Sequence, residues 1–101
     1  MAFDMYIADA LESIGHHEEF IFTLVEQDEL RYPQLTAIWD QFYDGPILSP
    51  SQAGVVVHEL IDLLTANGGT SNKPLTSVVL RILPFFSKAY KTQSQVRCVS
   101  D

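Results

Sequence analysis

WDQFYDGPILSPSQAGVVVHELIDLL, residues 39–64, is the stretch that decides the fold. Its Gly-Pro pair ends one helix, because glycine accepts a left-handed cap and proline cannot continue the helix. Ser49 then caps the next helix, Pro50 suits its first position, and Gln52 completes a capping box with Ser49. The sequence therefore predicts a turn followed by a long helix with a well-defined start.

The helix that follows Ser49 is the most apolar helix of the chain. Its apolar residues recur at the spacing of one buried helical face, and they are Ala53, Val56, Val57, Leu60, Leu63 and Leu64. Glu59 and Asp62 are predicted to lie on the opposite, solvent side of the helix. Three consecutive valines would also suit a strand, but the cap and the extended periodicity favour a helix.

Two shorter helices are predicted before this one. The first begins at the carboxylates of Glu18 and Glu19, which favour the positive end of the helix dipole, and ends near Leu30. The second begins at Pro33, a residue suited to a first helical turn, and runs to Gly45. Its apolar residues also share one helical face, and they are Leu35, Ile38, Trp39 and Phe42.

A last helix begins at Pro74. Pro84 lies inside its pattern and removes one backbone hydrogen bond, which predicts a kink or a break. Phe85 falls off the buried stripe of this helix and is expected to be exposed, where Pro84-Phe85-Phe86 would offer an apolar patch to a second copy.

The two ends of the chain show the alternation typical of short strands, in FDMYI (residues 3–7) and VRCV (residues 96–99). These strands are expected to pair with each other, because neither is stable alone. Residues 8–14 favour the start of a helical turn. The predicted architecture is a mainly α (α+β) single domain over residues 1–101, a four-helix bundle with a small two-stranded sheet from the N- and C-terminal strands.

Charge is distributed unevenly along the chain, whose net value is −7. Residues 1–62 carry twelve carboxylates and one arginine, a net charge of −11, whereas residues 63–101 carry a net charge of +4. A negative field of this kind repels phosphates, so we expect no nucleic-acid partner. It would attract a basic protein, although acidity that only maintains solubility remains the alternative.

Composition also bears on the compartment. The N-terminal segment carries Asp4, Asp9 and Glu12 where a signal peptide needs positive charge, and no window is apolar enough for a membrane span. The single cysteine, Cys98, cannot form an internal disulfide. A cytoplasmic protein without a membrane partner is therefore expected.

Residues able to carry chemistry are present but lack the spacing that chemistry requires. His16, His17 and His58 do not form a zinc-binding pattern, since adjacent histidines on a helix point about 100° apart. A hydrogen bond from the His58 ring to Asp62, one turn away, is a structural alternative. No partner base is indicated for Cys98 as a nucleophile. We therefore expect no metal, no cofactor and no enzymatic activity.

The chain resembles the small acidic immunity proteins of bacterial toxin–immunity systems, such as those of polymorphic, contact-dependent or type VI secreted toxins. The resemblance lies in the opening FDMYI, in LSPSQA (residues 48–53) at the central helix start, and in the closing VRCVSD (residues 96–101). It implies a non-catalytic protein that binds one cognate toxin domain and occludes its active site. Many such toxins are nucleases with a basic cleft, which an acidic segment would match.

The resemblance and the charge together predict a partner-binding surface of mixed acidic and aromatic character. Its residues are predicted to be Asp40, Tyr43, Asp44, Glu59 and Asp62. The alternative function is a small cytoplasmic regulatory or structural homo-oligomer, and both a monomer and a homodimer are compatible with the sequence.

Overall fold

The computed structural model of the chain describes residues 2–100. Within this range, four helices and four strands are joined by short turns, and two of those turns are 3-10 helical, at His16–Glu18 and Gly69–Ser71. The elements in chain order are β1 (Ala2–Ile7), β2 (Ala10–Gly15), α1 (Phe20–Glu26), α2 (Pro33–Asp40), β3 (Ile47–Leu48), α3 (Pro50–Ala66), α4 (Lys73–Lys91) and β4 (Val96–Ser100).

The strands form one antiparallel sheet in the order β2-β1-β4-β3. The predicted pairing of the two terminal strands is confirmed, since Met5 lies opposite Cys98. The prediction of only two strands is wrong, because β2 and β3 extend the sheet on either side. The prediction of a helical turn over residues 8–14 is also wrong. Leu11 and Ile14 have a helical spacing of three residues, but they lie in β2 and point to opposite faces of the sheet.

The inner face of the sheet packs against the helices, and the outer face is open. Alternation along the strands places the core residues on the inner face, and they include Phe3, Met5, Ile14, Leu48, Val96 and Cys98. One cross-strand row on the outer face runs through Leu11, Tyr6, Arg97 and Ile47. The Arg97 guanidinium lies 4.8 Å from the centre of the Tyr6 ring, which holds the cation on the sheet.

The start of α3 follows the sequence prediction. The Ser49 side chain accepts a hydrogen bond of 3.1 Å from the Gln52 N–H, and the Gln52 side chain accepts one of 2.7 Å from the Ser49 N–H. The capping box is therefore formed at both positions. Behind it, Ala53, Val56 and Leu60 are fully buried and form the centre of the core.

Helix α4 lies along α3 and also contacts β2. It begins at an Asn72 cap, whose side chain accepts a 3.3 Å hydrogen bond from the Leu75 N–H. The helix continues without a break through Pro84, whose ring lies on an exposed side. The prediction that Phe85 is exposed is wrong: its ring is buried against Phe86, so the buried face of α4 is wider than the stripe read from the sequence.

Arg81 joins α4 to the sheet. Its guanidinium forms ion pairs with Glu12 in β2 and with Glu18 in the 3-10 turn, and it also donates to the carbonyl of Ser13. Burial acts to raise the pKa of Glu18, but the Gly15 N–H and the Arg81 guanidinium outweigh it and lower that pKa. Strand β2 lies at the edge of the sheet, where the Ser13 carbonyl could accept a hydrogen bond from another strand. Arg81 donates to this carbonyl instead.

No helix within residues 2–100 combines the length and the apolar character that a bilayer crossing requires.

Candidate functional site

The carboxylates without a cationic partner are concentrated on one part of the molecule. Of the twelve acidic residues in the described range, five form ion pairs and one, Glu59, is buried. The other six are Asp4, Glu26, Asp28, Glu29, Asp40 and Asp44. Five of these six belong to residues 20–44, which we call the α1–α2 hairpin. Elsewhere, Arg81 and Lys88 of α4 pair with Asp9, Glu12 and Glu18, so most of the carboxylates that form no ion pair within residues 2–100 lie on this hairpin.

Asp40, Tyr43 and Asp44 lie together where α2 ends, and we call these three residues the acidic end. All three are exposed, and none has an ion-pair partner in the described range. The chain turns sharply after them at Gly45, whose φ of 61° lies in the left-handed region. A Cβ atom at this position would also lie 3.2 Å from the Cys98 carbonyl oxygen, so the turn holds the acidic end close to β4.

Tyr43 is the exposed aromatic residue of the acidic end, with 66% of its surface accessible. Its ring packs edge-to-face on the ring of Phe42, with centroids 5.1 Å apart. Phe42 is itself buried and stacks on Phe3 of β1 at 4.6 Å. A buried platform therefore restricts the orientation of Tyr43, which lowers the entropy lost when a partner covers the ring.

Trp39 connects the two helices of the hairpin. Its ring stacks on Phe22 of α1 with centroids 4.8 Å apart, and its indole N–H donates to the carboxylate of Glu26. The hydrogen bond fixes one of the six carboxylates on the surface between α1 and α2. The hairpin therefore presents its charge on a rigid support.

Glu59 does not lie on the solvent side of α3, contrary to the sequence prediction. It is 6% exposed, and its two oxygens accept hydrogen bonds of 3.0 Å and 2.9 Å from the N–H groups of Gln34 and Leu35. These N–H groups belong to the first turn of α2, which has no capping side chain of its own. Glu59 is therefore the cap of α2 supplied by another helix, and neither of its oxygens is free to bind a partner.

Burial raises the pKa of the Glu59 carboxyl above its ordinary value, although the two backbone N–H groups act in the opposite direction. A raised carboxyl pKa can indicate a general acid. Both oxygens of Glu59 are occupied by the backbone, so the shift here reflects a structural role.

Asp62 is held by Arg31, which lies in the turn between α1 and α2. The Arg31 guanidinium donates two hydrogen bonds of 2.6 Å to the two oxygens of Asp62, a bidentate pair that lowers the pKa of that carboxyl. The predicted alternative, a hydrogen bond from His58 to Asp62, is not formed; the carboxylate pairs with Arg31 instead.

The five residues predicted as a binding surface therefore form two groups. Asp40, Tyr43 and Asp44 lie at the C-terminal end of α2, whereas Glu59 and Asp62 lie beside its N-terminal end. Eight residues of helix place these ends about 12 Å apart. Only the first group is fully open to a partner.

The residues considered for catalysis or metal binding lie apart from one another. Within residues 2–100 no three His, Cys, Asp or Glu side chains are placed to hold a metal ion. His16 contacts Glu19 at 3.3 Å on the surface, and His58 lies exposed on α3. Cys98 is buried in the sheet, and burial raises the pKa of its thiol to about 12, which disfavours the nucleophilic thiolate at neutral pH.

A second surface, along the exposed side of α3, was not foreseen from the sequence. Val55 and His58 line both of two adjoining depressions, which together we call the α3 groove. The depression toward α4 has a volume of about 380 Å³ and is lined in addition by Ser51, Gly54, Val57, Ser87 and Tyr90. The depression toward the α1–α2 turn has a volume of about 560 Å³ and is lined in addition by Leu30, Arg31, Pro33, Glu59 and Asp62.

Two exposed apolar residues were the available signal for this groove. Val55 falls outside the buried stripe of α3, and Leu30 stands in a polar turn after α1. A single exposed apolar residue is common on protein surfaces. Only the folded chain shows that these two residues line one continuous depression.

Comparison of the chain with protein-family models, with curated proteins and with solved structures finds no significant match in any of the three.

Proposed function

We propose that the protein is a non-catalytic binding protein whose acidic end covers a basic surface of a partner protein. The observation that carries the proposal is the placement of Asp40, Tyr43 and Asp44, an exposed aromatic ring on a buried platform between two carboxylates that form no ion pair within the described residues. Tyrosine supplies contact area at low entropic cost, and the carboxylates select and orient a basic partner.

The resemblance to bacterial immunity proteins specifies this proposal further. In that form, the partner is a cognate toxin domain, and binding occludes its active site in the cytoplasm of the producing cell. A nuclease domain is the favoured type, since its cleft is positively charged to hold phosphates. The carboxylates of Asp40 and Asp44 at the acidic end would occupy the positions of two of those phosphates.

The test is affinity purification of the tagged chain from its native host at low salt, with mass spectrometry of the co-eluting proteins. The expected result is one stoichiometric protein with a basic surface, which inhibits growth when expressed alone and is neutralised when expressed with this chain. Elution of the chain alone or only with itself would contradict the proposal and favour the alternative function, a regulatory or structural homo-oligomer.

A further inference from the structure

The α3 groove carries apolar surface that the fold itself leaves uncovered. Leu30 is 96% exposed, Tyr90 is 51% exposed and Val55 is 43% exposed, although each belongs to a structured part of the chain. All three residues line the same groove. Apolar side chains grouped in a depression with polar residues at its edge are typical of a protein-binding surface.

Gly54 shapes one side of this groove. A Cβ atom at position 54 would lie 2.7 Å from Cδ1 of Tyr90, so only glycine permits the tyrosine ring to lie directly on the α3 backbone. A glycine inside a helix costs about 1 kcal/mol relative to alanine. In α3 this less favourable residue lies where the Tyr90 ring forms the wall of the groove.

The charged groups that line the groove are already paired within the chain. Arg31 and Asp62 neutralise each other, and the oxygens of Glu59 accept hydrogen bonds from the backbone. Asp28 and Glu29 directly precede Leu30, and both are exposed and form no ion pair within residues 2–100. An occupant would therefore bring apolar side chains into the groove and positive charge to its Leu30 end.

The length of the groove defines the kind of segment that fits. Its lining on α3 extends from Ser51 to Asp62, which corresponds to about 16 Å of helix. About three turns of a partner helix cover that distance, and such a helix buries apolar side chains at i, i+3, i+4 and i+7 along one face.

We infer that the α3 groove docks an amphipathic helix of a partner protein, with arginine or lysine at the end of the helix that reaches Asp28 and Glu29. This docking surface is separate from the acidic end, which lies at the opposite end of α2. The inference therefore goes beyond the proposed function and does not depend on it.

The test is an NMR titration of the ¹⁵N-labelled chain with a synthetic amphipathic peptide of about four helical turns, with leucines at helical spacing and two arginines at one end. Amide shifts should concentrate at Leu30, Val55, His58 and Tyr90. The double variant D28K/E29K should bind the peptide about tenfold more weakly at low salt. The variant D40K/D44K changes the net charge by the same amount at the acidic end and should bind it as wild type does.

Three results would overturn the inference. The first is a set of shifts centred on the outer face of the sheet, around Leu11 and Ile47. The second is an equal loss of affinity in the two double variants. The third is a dimeric chain in sedimentation that the exposed substitution Val55→Asp converts to a monomer, because a second copy would then occupy the groove. The titration uses a synthetic peptide and does not include the partner of the acidic end. Failure of this inference therefore leaves the proposed function unaffected.

Discussion

Reversing the charges of Asp40 and Asp44 together, in the variant D40K/D44K, should weaken binding of the co-purified partner by about 10- to 100-fold at low salt. Both side chains are exposed and make no ion pair within residues 2–100, so the free energy of unfolding should change by less than about 0.5 kcal/mol. Calorimetric titration of wild type and variant with the partner, at low and at high salt, measures the effect.

High salt and a matched charge variant together show whether the loss of affinity comes from charge at the acidic end. The Debye length falls from about 30 Å at 0.01 M salt to about 3 Å at 1 M, so high salt should reduce the difference between wild type and variant. The matched control is D28K/E29K, which changes the net charge equally on the same hairpin but away from the acidic end. An equal loss in both variants would mean that only the net charge matters, and unchanged affinity in D40K/D44K would exclude the acidic end as the interface.

Replacing Glu59 by alanine should lower the free energy of unfolding by about 2–4 kcal/mol. The substitution leaves the N–H groups of Gln34 and Leu35 without an acceptor at the buried start of α2. Urea denaturation followed by the fluorescence of Trp39, the single tryptophan, measures this loss. The control Asp62→Asn, three residues further along α3, removes an exposed ion pair and should cost less. Equal losses in the two variants would contradict the capping role.

The pH dependence of Glu59→Gln tests the environment of the same carboxyl. Burial raises the pKa of Glu59, so the folded state binds more protons than the unfolded state between the ordinary carboxyl pKa and the raised value. Through that window this carboxyl makes wild-type stability fall as pH rises, and Glu59→Gln lacks this contribution. Glu18 and Asp62, whose pKa values are lowered, contribute with the opposite sign in both proteins. The stability of wild type minus that of the variant therefore isolates Glu59, and a difference that does not decrease through the window would contradict the assignment.

The parts of the fold that follow from sequence are those encoded by neighbouring residues. The start of α3 is one case, because Ser49 and Gln52 contact each other within one helical turn. The pairing of the terminal strands is an exception, because it joins the two ends of the chain; it followed from the instability of an isolated strand. Strand β3 has only two residues, and it exists because β4 lies beside it, which no local pattern indicates.

In the candidate site, too, features set by neighbouring residues could be predicted and features set by distant residues could not. The exposure of Asp40, Tyr43 and Asp44 followed from the sequence, because none of the three belongs to the apolar stripe of the predicted second helix, although α2 itself ends at Asp40. The burial of Glu59 depends on residues 24 and 25 positions away, whose N–H groups need an acceptor. The pairing of Asp62 with Arg31 spans 31 positions. Periodicity assigns a side chain to one face of its helix, but it does not indicate which other element lies against that face.

Hydrogen–deuterium exchange of the chain alone and in complex with its co-purified partner examines the acidic end most directly. The proposal predicts slower exchange at residues 39–45, the end of α2 and the turn that follows it. The amides of the outer sheet strands should exchange as they do in the free chain. Protection confined to the sheet, with unchanged exchange at residues 39–45, would contradict the proposal that the acidic end is where the partner binds.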